Sequence, residues 1–187
     1  MPTLPSVLDD HDLPAAELAA MRLDGELYPL AGAYCPIDQI ETAAHRARAV
    51  RGRRSPRLIA ELGTAAWVWG AIPRLPAPVE FCVDLAARAR LRPNPHTTVR
   101  ELVLDPEDVV DLDGSGVTSP LRTAVDLARF QDAFDPDAVA ALAAIGGFGW
   151  QECLAVLDRR RNLPAKNRAK ARLQPALRSA VARTPQA

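Results

Sequence analysis

Apolar positions recur with a helical period near both ends of the chain and alternate in its middle. Leu13, Leu18 and Met21 give a modest apolar face, which predicts a helix capped by Asp12 and running to about Leu23, closed by Asp24-Gly25. Leu27-Tyr28 and Ala33-Tyr34 then flank a turn over Pro29 to Gly32, as two short strands in which Pro29 suits an edge only. A second helix is expected over 37–50, followed by the basic stretch RGRRSP. Ser55-Pro56 reads as the cap and first position of a third helix, with Leu58, Ile59, Leu62, Ala65, Ala66 and Trp69 on a broad apolar face and Gly70 as its stop. Gly63 inside it costs about 1 kcal/mol against Ala and marks a close helix contact.

The period then changes. In VEFCVDL, Val79, Phe81, Val83 and Leu85 alternate with Glu80, Cys82 and Asp84, the pattern of a half-buried strand. TTVRELVL and DVVDL are further strands, and the Arg- and Pro-rich link from Ala86 to Pro95 is a loop. Ser119 caps the next helix and Pro120 opens it, while Leu121, Ala124, Val125 and Ala128 form its inward face. Asp135-Pro136 starts another helix; Trp150 to Arg160 and Pro164 to Val181, interrupted at Pro175, complete the series. Strands grouped before helices indicate α+β. The expected architecture is a small helix–hairpin unit, then helices packed on a sheet of three or four strands, with a helical C-terminus.

Composition narrows the setting. The 187-residue chain is long enough for a sizeable core. It has no apolar run of membrane-spanning length, and MPTLPSVLDDHD lacks a charged-then-apolar leader. Cys35, Cys82 and Cys153 form neither a disulfide framework nor a CxxC pair, so a cytoplasmic setting is expected.

The net charge of zero conceals segregation. Acids dominate residues 1–41, where Arg22 is the lone base. Arg46, Arg48, Arg51, Arg53, Arg54 and Arg57 crowd one stretch. Arg159, Arg160 and Arg161 lead a tail without acids. These two clusters are the candidate contacts to an acidic partner or a polyanion, weighed equally against simple solvated basic faces.

Catalytic chemistry has little support. His11, His45 and His96 are scattered, no metal-ligand spacing occurs, and Gly114-Ser115-Gly116 fits neither a phosphate loop nor a nucleophile elbow. Glu80 and Asp84 read as solvent-facing charges on a strand rather than a metal pair. Trp67, Trp69 and Trp150 read as core, with Trp67 also placed to serve an interface. No catalytic residue, metal or cofactor is assigned. The charged stripe Arg122, Asp126 and Arg129 is expected at the rim of its helix contact, with Arg122 bridging to a carboxylate such as Asp84 or Asp111, or to a loop carbonyl.

Three stretches, ELAAMRLDGELYPLAGAYCP, LIAELGTAAWVWGAIP and GVTSPLRTAVDLARF, in that order resemble the AbiEi family of bacterial antitoxins and transcriptional regulators, over roughly residues 12–130. Thr118, Ser119, Arg122, Thr123 and Asp126 match the family's late motif, to which we give a structural role. The resemblance implies a winged helix-turn-helix, here truncated to residues 1–36, followed by an antitoxin domain over 37–187. It implies opposition to a nucleotidyltransferase toxin, control of the operon, or both. Relatives also include proteins that carry an endonuclease domain after this core. The wing-like stretch has Asp24 and Glu26 and no Lys or Arg, so protein contacts are favoured over DNA contacts. The alternatives are a DNA-binding repressor that uses the basic loop and tail, and an inactive nuclease-associated remnant.

Overall fold

The computed structural model describes residues 5–87, 94–159 and 163–183, with side chains to residue 178. The loop expected over Ala86 to Pro95 therefore lies mostly outside the described residues, as do Arg160 and Arg161.

The N-terminal unit is a helix on a hairpin. Helix α1 (Ala15–Leu23) begins after Pro14, two residues later than Asp12 would cap it. The Asp12 carboxylate instead accepts from the Asp9 backbone N–H at 2.9 Å, inside the preceding turn. Strands β1 (Leu27–Leu30) and β2 (Ala33–Pro36) pair antiparallel, and Leu8 adds a bridge to Tyr34. Pro29 is tolerated because each strand of a two-stranded sheet has a free edge. Leu8, Leu18 and Leu27 form a small local core, while Leu30, Ala33 and Cys35 face the main core.

Helix α2 (Ala43–Arg51) starts six residues later than the expected range. Thr42 caps it by accepting from the His45 N–H at 3.2 Å. Ile37 and Ile40 are thereby left outside it and exposed.

Residues 55–61 depart most from expectation. Leu58 and Ala60 are buried, but Ser55–Leu58 closes a single turn, with the Leu58 N–H donating to the Ser55 carbonyl at 3.0 Å, and strand β3 (Ile59–Ala60) follows it. The third helix, α3 (Leu62–Val68), follows it. Tertiary pairing on both sides of β3 overrides the local cap signal of Ser55-Pro56: it lies between β4 (Val79–Asp84) and β7 (Ser115–Thr118). With β5 (Thr97–Leu102) and β6 (Val109–Leu112), the sheet has five strands in the order β5-β4-β3-β7-β6. β3 runs parallel to β7 and antiparallel to β4, β4 runs parallel to β5, and β6 and β7 form a hairpin. Its two turn residues, Asp113 and Gly114, have φ of 51° and 77°, the positive pair that a tight hairpin requires.

β4 is covered on both faces. Phe81, Cys82 and Val83 are all buried, which corrects the half-buried reading. Glu80 is no solvent-facing charge either: it accepts from the Gly63 N–H at 2.8 Å and helps to seat α3. A Cβ on Gly63 would meet that carboxylate oxygen at 2.9 Å and Pro76 at 3.3 Å, so the close contact is with the strand and loop rather than with a helix.

The helical layer comprises α4 (Pro120–Phe130), α5 (Pro136–Gly146), α6 (Trp150–Asp158) and α7 (Lys166–Arg183). Ser119 and Asp135 cap α4 and α5 as expected. α7 continues through Pro175. The buried residues of these helices share a second core with Leu62 and Ala66 of α3, so α3 and α4 join the bundle to the sheet. Among the described residues no single helix is long and apolar enough to cross a membrane.

Candidate functional site

The joint between sheet and bundle holds a buried charged network. At its start the Thr123 hydroxyl donates to the Thr118 carbonyl at 3.0 Å, and the two threonine hydroxyls lie 2.7 Å apart. Trp69 Nε1 also donates to the Thr118 carbonyl, at 2.8 Å. The Thr118 carbonyl at the end of β7 thus holds both the first turn of α4 and the end of α3.

Arg122 lies above this joint and is 6 % exposed. Its Nε donates to Asp126 Oδ2 at 2.7 Å and its Nη1 to Asp108 Oδ2 at 2.5 Å. Asp126 Oδ1 accepts from Arg129 Nη1 at 2.6 Å, and Arg129 Nε donates to the Pro164 carbonyl at 3.0 Å. The expected bridge from Arg122 to a strand-region carboxylate exists, but three details change. The acceptor is Asp108, on the turn before β6; Asp84 and Asp111 instead accept from the backbone N–H groups of Ala86 and Gly114. The stripe is buried rather than at a rim, because α4 is packed among α3, α5, α6 and α7. Arg129 is an integral member, tying α4 to the segment that leads into α7.

A second pair extends the network. Glu61, 1 % exposed at the end of β3, accepts both guanidinium hydrogen bonds of Arg100 from β5. The guanidiniums of Arg100 and Arg129 lie over the Phe130 ring at 4.5 and 4.3 Å from its centre. Burial pushes the Glu61 carboxyl up to about 7, against the pull of Arg100. Burial works to lower Arg100, but its hydrogen bonds and attraction to Glu61 outweigh this and raise it. Burial likewise opposes the charge on Arg122, yet Asp126 and then Asp108 raise it overall. For Arg129 burial prevails over Asp126, and its pKa is lowered. A carboxyl near neutrality is a familiar sign of acid–base work. Here it is enclosed and doubly bonded to Arg100, so it cannot meet a substrate, and its chemistry is structural.

Two features of this centre are absent from the sequence reading: Asp108 and the Glu61–Arg100 pair. Neither has a local spacing signal, since 14 residues separate Asp108 from Arg122 and 39 separate Glu61 from Arg100.

The basic stretch is divided in its roles. Arg46 bonds Glu41, donates to the Trp67 carbonyl at 2.9 Å and lies over the Trp67 ring. Arg51 Nε donates to Ser115 Oγ at 3.0 Å, tying α2 to β7. Arg54 donates to the Val50 carbonyl and lies over Phe81. Arg48 and Arg53 line an open cleft of about 370 Å³ together with Asp9, Asp10 and Asp12. Arg57 is exposed nearby. In the other cluster, Arg159 is engaged with Asp105 at 3.2 Å and Glu107 at 3.0 Å. Trp67 is 6 % exposed, so it packs in the core and offers no interface.

No family model and no curated protein matches this chain. Among solved structures the chain is similar to the crystal structure of RV2827C protein from Mycobacterium tuberculosis, at 17% identity and a TM-score of 0.48, covering 98% of this chain and 78% of that one.

Proposed function

We propose that the protein is a non-catalytic binding protein of the AbiEi antitoxin and regulator type, acting against a nucleotidyltransferase toxin mainly through protein contacts. The observation that carries this reading is the fate of the basic residues. A DNA-binding role needs cations free to neutralise phosphates. Arg46, Arg51, Arg54 and Arg159 each spend hydrogen bonds inside the fold. Arg48 and Arg53 share their cleft with three carboxylates, Asp9, Asp10 and Asp12. The helix–hairpin unit, where a winged helix would read DNA, presents Asp24 and Glu26 to solvent. The motif that matches the family, Thr118 to Asp126, supports the reading as a structural joint.

The test is to look for a nucleotidyltransferase in the neighbouring reading frame and to co-express it with this chain. Antitoxin function predicts that growth arrested by the toxin is restored. A toxin left unopposed, or a neighbourhood without a nucleotidyltransferase, overturns the proposal.

A further inference from the structure

We propose that the base of the N-terminal hairpin is a docking face for a basic amphipathic helix of a partner protein; this rests on the reading of the chain as a protein-binding protein. Two segments meet there. The end of α1 turns through Asp24-Gly25, and the Glu26 N–H returns to the Met21 carbonyl at 2.9 Å. The Ile37 N–H donates to the Glu26 carbonyl at 2.9 Å, which extends the hairpin ladder by one position, and the Gln39 N–H turns back onto the Pro36 carbonyl at 3.2 Å. The Glu26–Ile37 hydrogen bond thereby joins the two segments, and each turns away from it through its own local hydrogen bond.

Both segments expose aliphatic side chains. Leu23 is 88% exposed, Ile37 67% and Ile40 87%, while Leu18 and Leu27 nearby are buried in the local core. Three large aliphatic groups this exposed, on two segments joined at Glu26 and Ile37, offer apolar area that a partner would cover. Asp24, Glu26 and Asp38 are exposed in the same two segments and have no ion-pair partner among the described residues.

The charge selects the occupant. Three carboxylates against one exposed base, Arg22 in the last turn of α1, leave the face net acidic, which disfavours a phosphate backbone. A second copy meeting this face about a two-fold axis would oppose like charges. An amphipathic helix with an apolar stripe and flanking Lys or Arg satisfies both the aliphatic groups and the carboxylates.

The probe is a labelled helical peptide with one Leu-rich and one Lys-rich face, titrated into the full chain and followed by fluorescence anisotropy. A counterpart with Glu in place of Lys is the control. The Lys peptide should bind. The double variant Ile37→Ser/Ile40→Ser should weaken it at least about 10-fold. The triple variant Asp24→Asn/Glu26→Gln/Asp38→Asn should flatten its salt dependence. Equal binding of the Glu peptide, wild-type affinity in the serine variant, or dimerisation of the wild-type chain that the serine variant abolishes would each overturn the docking proposal. The unfolding midpoint of each variant, expected at the wild-type value because the side chains are exposed, separates loss of docking from loss of fold. In the co-expression assay, a serine variant that still restores growth sinks this face and leaves the antitoxin reading standing. Failure of the wild-type chain sinks the antitoxin reading, and the peptide titration still decides the face.

Discussion

Replacing Arg122 by Lys tests whether the joint depends on guanidinium geometry or on charge alone. Arg122 reaches two carboxylates with two different nitrogens, Nε to Asp126 and Nη1 to Asp108. An ammonium has a single nitrogen on a flexible stem and cannot reproduce that fork. One charge-assisted hydrogen bond should be lost, at a cost of about 1.5–3 kcal/mol. Arg122→Ala removes both and leaves Asp108 and Asp126 to Arg159 and Arg129 respectively. Breaking a buried ion pair by removing one partner costs about 3–5 kcal/mol. With a urea m value of about 2 kcal/mol/M, the midpoint should fall by about 0.7–1.5 M for Lys and about 1.5–2.5 M for Ala. The assay is equilibrium urea unfolding followed by tryptophan fluorescence, with m compared between variants. A Lys variant that unfolds at the wild-type midpoint would refute the bridging role of Arg122.

Other consequences follow from the same contacts. Arg129→Ala should cost about 2–4 kcal/mol in the same assay, because a buried Asp126 bond and the Pro164 carbonyl both lose their donor. Glu61 titrates near 7 in the fold and near 4.5 when unfolded, so its protonation favours the fold fully below about pH 4.5, and this contribution is lost as pH rises toward 7. Glu61→Gln should flatten that part of the stability–pH curve, by an amount on the order of 3 kcal/mol; an unchanged curve would contradict the shift. Gly63→Ala should destabilise by about 1–3 kcal/mol, since the methyl meets Glu80 and Pro76, and thermal unfolding reads this directly. All three cysteine thiols are buried, and burial pushes each pKa up, so a thiol reagent should label them only after unfolding.

The elements legible in the sequence are those fixed by local chemistry. Ser119-Pro120 and Asp135-Pro136 carry their own cap and first helical residue, and both helices start there. The segment Ser55-Pro56 has the same signature and misleads, because pairing with β4 and β7 outweighs a cap on an exposed turn. β7 is hidden for another reason: Ser115 and Gly116 lack strand propensity, and Gly116 is there because a Cβ at this position would sit 3.0 Å from the Ile59 side chain. The Arg122–Asp126 pair is readable from its one-turn spacing. Its burial is not, since a charged stripe on a helix is ordinarily solvated. Only the arrival of Asp108 from a distant turn, and the packing of α4 among the neighbouring helices, make it interior. The basic stretch likewise reveals the positions of its arginines but not their partners, which lie in α3, β4 and β7.

The most direct measurement is growth rescue under toxin co-expression with the wild-type chain, Ile37→Ser/Ile40→Ser and Arg48→Gln/Arg53→Gln compared side by side. Action through protein contacts at the N-terminal unit predicts rescue by the wild-type chain and the arginine variant, and failure of the isoleucine variant. Rescue by the isoleucine variant with failure of the arginine variant, together with DNA binding that weakens steeply with salt, would contradict it and place function in the basic cleft.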